Sequence, residues 1–338
     1  MGKRKEQVTS LGFKPRKPPP HYVPETSPNA NASYDVGVGA AGQTAPLIKR
    51  DRETVHQPVG KMAPENISAL YKNHPLRRET ILARIQKECK SLDSISELDL
   101  AFDRQAATTD QNHVGGIGFT VALARAICLN PSMHILDLGC GLGGSIRLLS
   151  YLYGCKATGY DVSRDRIAEA KDLTRLVNLD DFVDFKCADL MTSDVPAHHF
   201  DVIWGQSSWT HILRKDEFIE KWSDSLKPGG MIALEDLYLR RNPQVETEVS
   251  HLARFEADSM GKVVVLQKWK QILCDCSFSI TVEEDLSNEL IDEERKLTQT
   301  DNAISGDETS NETEKTNLLL DLAEKGILGY FRLVAKRH

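Results

Sequence analysis

The amino-acid sequence predicts an α/β fold, in which a doubly wound, mostly parallel sheet of seven strands is covered by helices. Two observations predict it. From about residue 133, short apolar runs alternate with amphipathic helical segments, as expected for parallel strands that are buried on both faces. A glycine-rich loop then separates the first of these strands from the next helix, an arrangement that is typical of nucleotide-type binding sites.

Composition limits the classes of function. The chain has 338 residues, 40% of them hydrophobic, and a net charge of −7, which argues against a general nucleic-acid partner. No leader peptide is visible, and the most apolar stretch is too short to span a membrane. The seven cysteines lack the spacing of a metal site. We therefore expect a cytoplasmic protein without a bound metal, and the oligomeric state stays open, a homodimer included.

The chain divides by composition into a tail and one domain. Residues 1–60 are basic and proline-rich with little apolar periodicity, which predicts a flexible tail. Residues 61–338 form the predicted domain. It comprises a helical lid (61–130), a ligand-binding core (131–240), substrate-side helices with an acidic insertion (241–317) and a closing strand (318–338).

The predicted elements follow from hydrophobic periodicity. Lid helices are expected at 76–90 and 116–128, and the later helices at 145–153, 163–177, 214–226, 243–259 and 263–275. Strands are expected at 133–138, 156–161, 182–187, 200–205, 230–235, 277–283 and 327–336. Residues 298–317 are acidic and poor in apolar side chains, which predicts an unstructured surface insertion.

The glycine loop allows two interpretations. Gly139, Gly141 and Gly144 match the dinucleotide fingerprint, with Asp161 at the distance of a ribose-binding acid. The same segment also fits Asp-x-Gly-x-Gly-x-Gly, from Asp137 to Gly143. An acid at the end of the first strand would repel a pyrophosphate, whereas it suits a cofactor that carries an ammonium and a sulfonium. Asp137 therefore favours S-adenosylmethionine over a dinucleotide.

Acidic side chains also end the next two predicted strands. Asp161 is expected to accept hydrogen bonds from both ribose hydroxyls, and Asp189 to accept the adenine amino group. Val162 and Leu190, which follow these acids, complete the expected cofactor site.

The fourth strand leads into a segment rich in polar and aromatic residues. Gln206 offers a donor and an acceptor to the cofactor, and His211 is a candidate proton acceptor near neutral pH. Trp204, Trp209 and Tyr238 are candidates for cation–π contact with a cationic product, and simple core packing is the alternative for all three.

From about residue 133 to 236 the chain resembles the class I S-adenosylmethionine-dependent methyltransferases, which have a Rossmann-like fold. The resemblance rests on motifs in the family's order: Asp137-Leu-Gly-Cys-Gly-Leu-Gly143, Asp161, Asp189, Phe200-Asp201 and Leu226-Lys-Pro-Gly-Gly230. It implies that Gly139, Cys140, Gly141 and Gly143 line the cofactor loop.

A finer resemblance points to the sarcosine/dimethylglycine N-methyltransferases and their small-molecule relatives. It rests on the run from Asp110 to Gly116, together with Gln206 and His211. By resemblance, Gln111, His113 and Gly115 approach the methyl donor, and His113 joins His211 as a candidate catalytic residue. Ser207 departs from the pattern, because these N-methyltransferases often carry an acid there.

The expected function is methyl transfer to a small-molecule nitrogen or sulfur nucleophile by in-line displacement. One alternative is C- or O-methylation of an aromatic or isoprenoid acceptor, with His211 as the base. The other is a non-catalytic scaffold that binds partners through its tail and acidic insertion.

Overall fold

Seven strands of the described chain form one mixed sheet. The computed structural model describes residues 71, 74, 76–88, 90–102, 108–305 and 311–338, and only the backbone of residues 299–305 and 311–317. The predicted tail at 1–60 lies outside this range. The strands are β1 (His134–Leu138), β2 (Lys156–Asp161), β3 (Val183–Cys187), β4 (Phe200–Gln206), β5 (Leu226–Leu239), β6 (Phe278–Asp285) and β7 (Leu328–Arg337).

The strand order confirms the predicted doubly wound topology. It is β3-β2-β1-β4-β5-β7-β6, with β1 to β5 parallel and β7 antiparallel to both of its neighbours. The order reverses direction between β1 and β4, and in open α/β sheets ligands bind at this reversal, outside the carboxyl ends of the strands. The topology therefore places the candidate site where β1 and β4 end.

The described residues contain ten α-helices, which precede the sheet in the chain or connect its strands. They are α1 (Arg78–Lys87), α2 (Glu97–Ala101), α3 (Gly116–Ala126), α4 (Gly144–Tyr153), α5 (Arg164–Leu176), α6 (Lys215–Ser223), α7 (Glu246–Asp258), α8 (Leu266–Asp275), α9 (Ser287–Ser305) and α10 (Asn311–Glu324). In the part of the chain that the structure covers, no helix combines the length and the apolar character needed to cross a membrane.

Each face of the sheet packs a core of its own, because successive side chains of a strand point to opposite faces. Trp209, Trp222, Trp269 and Phe331 belong to one core, and Trp204 belongs to the other with side chains of α4 and β3. Helices α1 and α2 contribute to a third cluster, which contains Ile81, Ile85 and Leu100 together with Leu173 of α5 and Val177, directly after that helix. The described part of the predicted lid is thus helical and packs on the domain.

The structure departs from the predicted elements in two places. Strand β5 begins at Leu226, four residues earlier than expected. Its pairing with β4 contains a register shift beside the Lys-Pro-Gly-Gly segment, where Gly229 has φ of +74°. The prediction of an unstructured insertion at 298–317 is wrong for the described backbone, which is helical in α9 and α10. Leu322 anchors α10 beside Phe255 of α7, a tertiary contact that local composition does not reveal.

Candidate functional site

The loop between β1 and α4 turns at three glycines. Gly139, Gly141 and Gly143 have φ of +88°, +51° and +73°, in the left-handed region that side chains disfavour. A Cβ at Gly139 would also lie 2.8 Å from the Cβ of Ser208. The Gly139 N–H donates to the Tyr160 carbonyl over 2.8 Å. The loop is thus fixed against the end of β2, and α4 begins directly behind it with its first N–H groups unpaired.

Asp161 ends β2 and faces this loop. Its Oδ2 accepts the backbone N–H of Gly141 over 2.9 Å, and its Oδ1 accepts that of Ser163 over 2.8 Å. Burial raises the pKa of Asp161 and these two bonds lower it. Each carboxylate oxygen retains capacity for a second hydrogen bond. The carboxylate is therefore held in place with two acceptor positions to offer to a diol.

Asp137 lies inside β1 and is only 4% exposed. Burial, and secondarily the charge of Asp161, raise the pKa of Asp137 to about 8. The side chain is therefore largely neutral at pH 7 in the ligand-free protein. A cation bound nearby would favour its ionised form, because an opposite charge lowers the pKa of a carboxyl.

The residues expected to flank the cofactor are placed at the same edge. Leu190 is buried, and Val162 is half-buried directly after Asp161. Asp189 accepts the Met191 N–H over 2.9 Å and the Thr192 hydroxyl over 3.1 Å, so it also closes a turn. Burial raises the pKa of the Cys140 thiol well above its usual range, which keeps this loop cysteine protonated.

Gln111 and Gln206 meet at the hydroxyl of Thr120. The Thr120 Oγ1 lies 3.2 Å from Oε1 of Gln206 and 3.5 Å from Oε1 of Gln111. The indole N–H of Trp204 donates to the same Gln206 oxygen over 3.0 Å. The structure thus brings together two predicted cofactor residues that are 95 positions apart in the chain.

His113 lies beside this pair. Its Nδ1 is 3.1 Å from the Val114 carbonyl and its Nε2 is 3.1 Å from the Thr120 hydroxyl. Burial lowers the pKa of His113 to about 4, so the ring is neutral at physiological pH. Because a carbonyl only accepts, Nδ1 carries the hydrogen and Nε2 is an acceptor.

His211 contacts a lid residue that the sequence did not single out. The Tyr71 phenol oxygen lies 3.0 Å from Nε2 of His211, with the two rings edge to face. Burial lowers the pKa of His211, and the nearby charge of Asp236 opposes this. A neutral imidazole bonded to a phenol can accept a proton from a substrate.

Asp236 fixes the turn that carries His211. Its carboxylate accepts the Thr210 backbone N–H over 2.9 Å and the Thr210 hydroxyl over 2.6 Å. Glu235 is equally occupied, since it pairs with Arg332 over 2.6 Å and accepts from Gln206 over 2.7 Å. Both of these β5 acids therefore form structural contacts within the site.

The three aromatic candidates for cation–π contact are core residues. Trp204 and Trp209 are completely buried, and Tyr238 is 7% exposed. The Trp209 indole donates to the Leu138 carbonyl over 2.9 Å, and Tyr238 packs edge to face on Phe331. The structure thus places all three in packing roles, which corrects the cation–π interpretation. Within the described residues, no cluster of three or more His, Cys, Asp or Glu side chains is arranged for a metal ion.

Arg147 and Tyr71 are the functional candidates that sequence reasoning missed. Arg147 is fully buried on α4, where it pairs with Glu97 over 3.2 Å and with Asp110 over 2.8 Å. It stands in an apolar helical run, so only its charge within that run could have drawn attention to it. Tyr71 carries no local signal at all.

The known proteins that are similar to this chain include methyltransferases. Residues 135–230 match a family described as a methyltransferase domain. Phosphoethanolamine N-methyltransferase 1 of Arabidopsis thaliana is 29% identical over 177 residues, which cover 52% of this chain and 35% of the relative. The chain thus spans about a third of the length of this curated relative.

Solved structures of methyltransferases share the fold. Phosphoethanolamine N-methyltransferase 2 of Haemonchus contortus, in complex with phosphomonomethylethanolamine and S-adenosylhomocysteine, superposes with a TM-score of 0.63 at 16% identity, covering 83% of this chain and 61% of that one. A Galdieria sulphuraria protein named as a sarcosine dimethylglycine methyltransferase gives 0.58 at 18% identity, covering 65% and 84%.

The residues of the site fit S-adenosylmethionine. Asp161 retains acceptor positions for two hydroxyls of a ribose, and the Asp137 carboxyl, which a bound cation would ionise, suits a positively charged cofactor. These residues favour S-adenosylmethionine over a dinucleotide. Residues 135–230 therefore form a methyltransferase domain, and the site resembles that of the class I S-adenosylmethionine-dependent methyltransferases.

Proposed function

We propose that this chain transfers the methyl group of S-adenosylmethionine to a nitrogen or sulfur nucleophile of a small molecule. The observation that carries the proposal is the hydrogen bond of 3.0 Å between Tyr71 and His211 at the sheet edge that ends in Asp161. It joins a lid residue to a neutral base, next to the acid that fits the ribose.

Each part of the site has a role in this reaction. When bound, the cofactor supplies an electrophilic methyl group on a positively charged sulfur. Asp161 holds the ribose, and Gln111 and Gln206 face the donor's amino-acid portion. The transfer is an in-line displacement, in which alignment alone can lower the barrier by about 7–11 kcal/mol. The protein therefore contributes chiefly by orienting the donor and the acceptor.

Nitrogen is the first candidate among nucleophiles. A primary or secondary ammonium group has to lose a proton before its nitrogen can attack, and in this proposal His211 accepts that proton. The names of the similar proteins, a phosphoethanolamine N-methyltransferase and a sarcosine dimethylglycine methyltransferase, support an amine acceptor.

The cysteines of the described chain are free thiols, which supports a reducing compartment such as the cytoplasm.

C- or O-methylation of an aromatic or isoprenoid acceptor is the second candidate. The same observation favours it, since a hydroxyl or an activated carbon also has to lose a proton and His211 is neutral enough to accept one. An ammonium, a hydroxyl and an activated carbon therefore all need the base, whereas a thioether, the sulfur form of the first candidate, does not.

Label transfer separates these possibilities. The protein is incubated with methyl-labelled S-adenosylmethionine and, in separate reactions, with phosphoethanolamine, sarcosine and a methylated hydroquinone. Transfer to an amine that His211→Ala abolishes, with cofactor binding retained, is the expected result. Labelling of the hydroquinone alone would favour the second candidate. A protein that fails to bind S-adenosylhomocysteine would overturn the methyltransferase proposal.

A further inference from the structure

Two buried arginines each contact a glutamine through an intervening carboxylate. We call each of these chains of arginine, carboxylate and glutamine a relay. Arg147 Nη2 lies 2.8 Å from Oδ2 of Asp110, whose Oδ1 accepts the Gln111 amide N–H over 2.9 Å. The second relay repeats this arrangement. Arg332 Nε lies 2.6 Å from Oε1 of Glu235, whose Oε2 accepts the Gln206 amide N–H over 2.7 Å.

These contacts determine which end of each amide faces the site. A carboxylate without a proton only accepts hydrogen bonds, so the NH₂ group of each glutamine turns towards its carboxylate. The carbonyl oxygens of Gln111 and Gln206 then turn towards Thr120. Both amides are thereby fixed in the orientation that presents oxygen.

The neighbourhood of Thr120 contains more acceptors than donors. Besides the two amide oxygens, Nε2 of His113 lies 3.1 Å from the Thr120 hydroxyl. This hydroxyl has one hydrogen to donate, and the Trp204 indole supplies one more to Gln206. A group that donates N–H bonds is therefore favoured here, and a carboxylate or phosphate is disfavoured.

The fold holds both relays rigidly. A Cβ at Gly144 would lie 2.1 Å from the carbonyl oxygen of Asp110, so the close approach of the lid to α4 depends on that glycine. In the second relay, Glu235 and Arg332 are directly paired residues of the antiparallel strands β5 and β7. Each relay thus links an element of the scaffold to one glutamine.

We propose that the two relays orient Gln111 and Gln206 to bind an ammonium group, which makes Asp110, Arg147, Glu235 and Arg332 positioning residues of the methyl-transfer site. The inference rests on the proposed function. Two molecules could bring the ammonium: the methyl donor, through its amino-acid portion, and an amine acceptor. The chemistry of recognition is the same for both.

Conservative amides test the relays. In Asp110→Asn and Glu235→Gln, the new amide oxygen has to face the arginine, so its NH₂ group opposes the NH₂ group of the glutamine. Each variant has a matched control on the same arginine. Glu97→Gln alters the other carboxylate of Arg147, and Glu284→Gln alters the other carboxylate of Arg332. Neither Glu97 nor Glu284 forms a hydrogen bond with a glutamine amide in the described residues.

Binding is measured by calorimetry with two probes. S-adenosylhomocysteine carries the ammonium, and 5′-methylthioadenosine lacks the amino-acid portion. If the donor brings the ammonium, Asp110→Asn and Glu235→Gln lower affinity for S-adenosylhomocysteine about tenfold and leave that for 5′-methylthioadenosine within about twofold, since hydrogen bonds to a charged group are the ones lost. The controls retain both affinities.

Ethanolamine binding to the protein saturated with S-adenosylhomocysteine provides the second arm. A loss of ethanolamine affinity confined to the two relay variants supports the inference with the acceptor as the source. Equal losses for both adenosine probes, or no loss in either arm relative to the controls, overturn it. If the unaltered chain fails to bind S-adenosylhomocysteine, the proposed function itself falls and the inference with it.

Discussion

The phenol oxygen of Tyr71 lies 3.0 Å from Nε2 of His211, although 140 residues separate them in the chain. Around this contact, Arg166 of α5 stacks 5.2 Å from the centre of the Tyr71 ring and donates to the Leu76 carbonyl. Glu169, one turn further along α5, pairs with Arg77 over 3.2 Å. Helix α5, which follows Asp161, therefore contacts the described lid residues Tyr71, Leu76 and Arg77.

Tyr71→Phe tests this contact. Removing the hydroxyl deprives His211 of its hydrogen-bonding partner while the ring still fills its place. We expect kcat to fall about tenfold, with affinity for S-adenosylhomocysteine unchanged. The measurement is steady-state turnover beside calorimetric binding. Tyr151→Phe, on α4, is the control and should retain turnover; a Tyr71→Phe variant with full turnover would remove Tyr71 from the site.

Asp161→Ala tests the cofactor assignment. The carboxylate is expected to hold the ribose hydroxyls, so affinity for S-adenosylhomocysteine should fall by at least about tenfold. Asp165→Asn, on the exposed first turn of α5, is the matched control with an unchanged dissociation constant. Isothermal titration measures both. Equal affinity in Asp161→Ala and the unaltered chain would contradict the assignment.

Asp137 makes stability depend on pH. Its pKa is about 8 in the folded chain against an ordinary value of 3.8, so the folded state binds more protons than the unfolded state between these values. The contribution of this carboxyl to stability is therefore complete below pH 4 and is lost as the pH rises towards 8.

We accordingly expect Asp137→Asn to raise the melting temperature of the ligand-free protein more at pH 8 than at pH 5. The same variant should gain less stability from added S-adenosylhomocysteine, because it lacks the carboxylate that a bound cation favours. Thermal unfolding at both pH values, with and without ligand, measures this. A shift of equal size at both pH values would show that the Asp137 carboxyl does not titrate in this range.

Arg147→Met tests the buried ion pairs behind the glycine loop. The change leaves the carboxyls of Glu97 and Asp110 buried without a guanidinium, which should lower the free energy of unfolding by about 3–5 kcal/mol. Arg175→Met removes an exposed pair with Asp172 on α5 and should cost less than about 1 kcal/mol. Urea denaturation measures the two values. Similar small costs in both variants would mean that the buried charges are not held by Arg147.

Much of the core was predictable because its signals are local. Apolar runs predicted the strands to within a few residues, and the shared location of the acids at or near the carboxyl ends of β1, β2 and β3 follows from the rule that parallel strand ends meet at one edge. The helices of the acidic insertion were not predictable in this way, since Leu322 acquires its role only against α7. Charge composition predicts how a segment behaves in isolation, whereas packing against a neighbouring helix can stabilise the same segment as a helix.

The site beyond the cofactor loop depended on contacts between distant residues. Gln111, His113 and Gln206 were predicted individually, but their meeting at Thr120 was not, because a threonine inside an apolar helix has no distinguishing pattern. Tyr71 precedes the first predicted lid helix and is recognisable only through His211. Trp204 and Trp209 show the converse, since burial in the core removes them from contact with a cationic product.

The last strand in the sequence, β7, is not an edge strand of the sheet. Because β7 lies between β5 and β6, residues 328–337 have to be synthesised before the sheet can be completed and before Arg332 can pair with Glu235. Until then both neighbouring strands present open hydrogen-bonding edges, which are templates for pairing with other chains. The Gln206 relay therefore forms only after β7 has inserted between two strands that precede it in the chain.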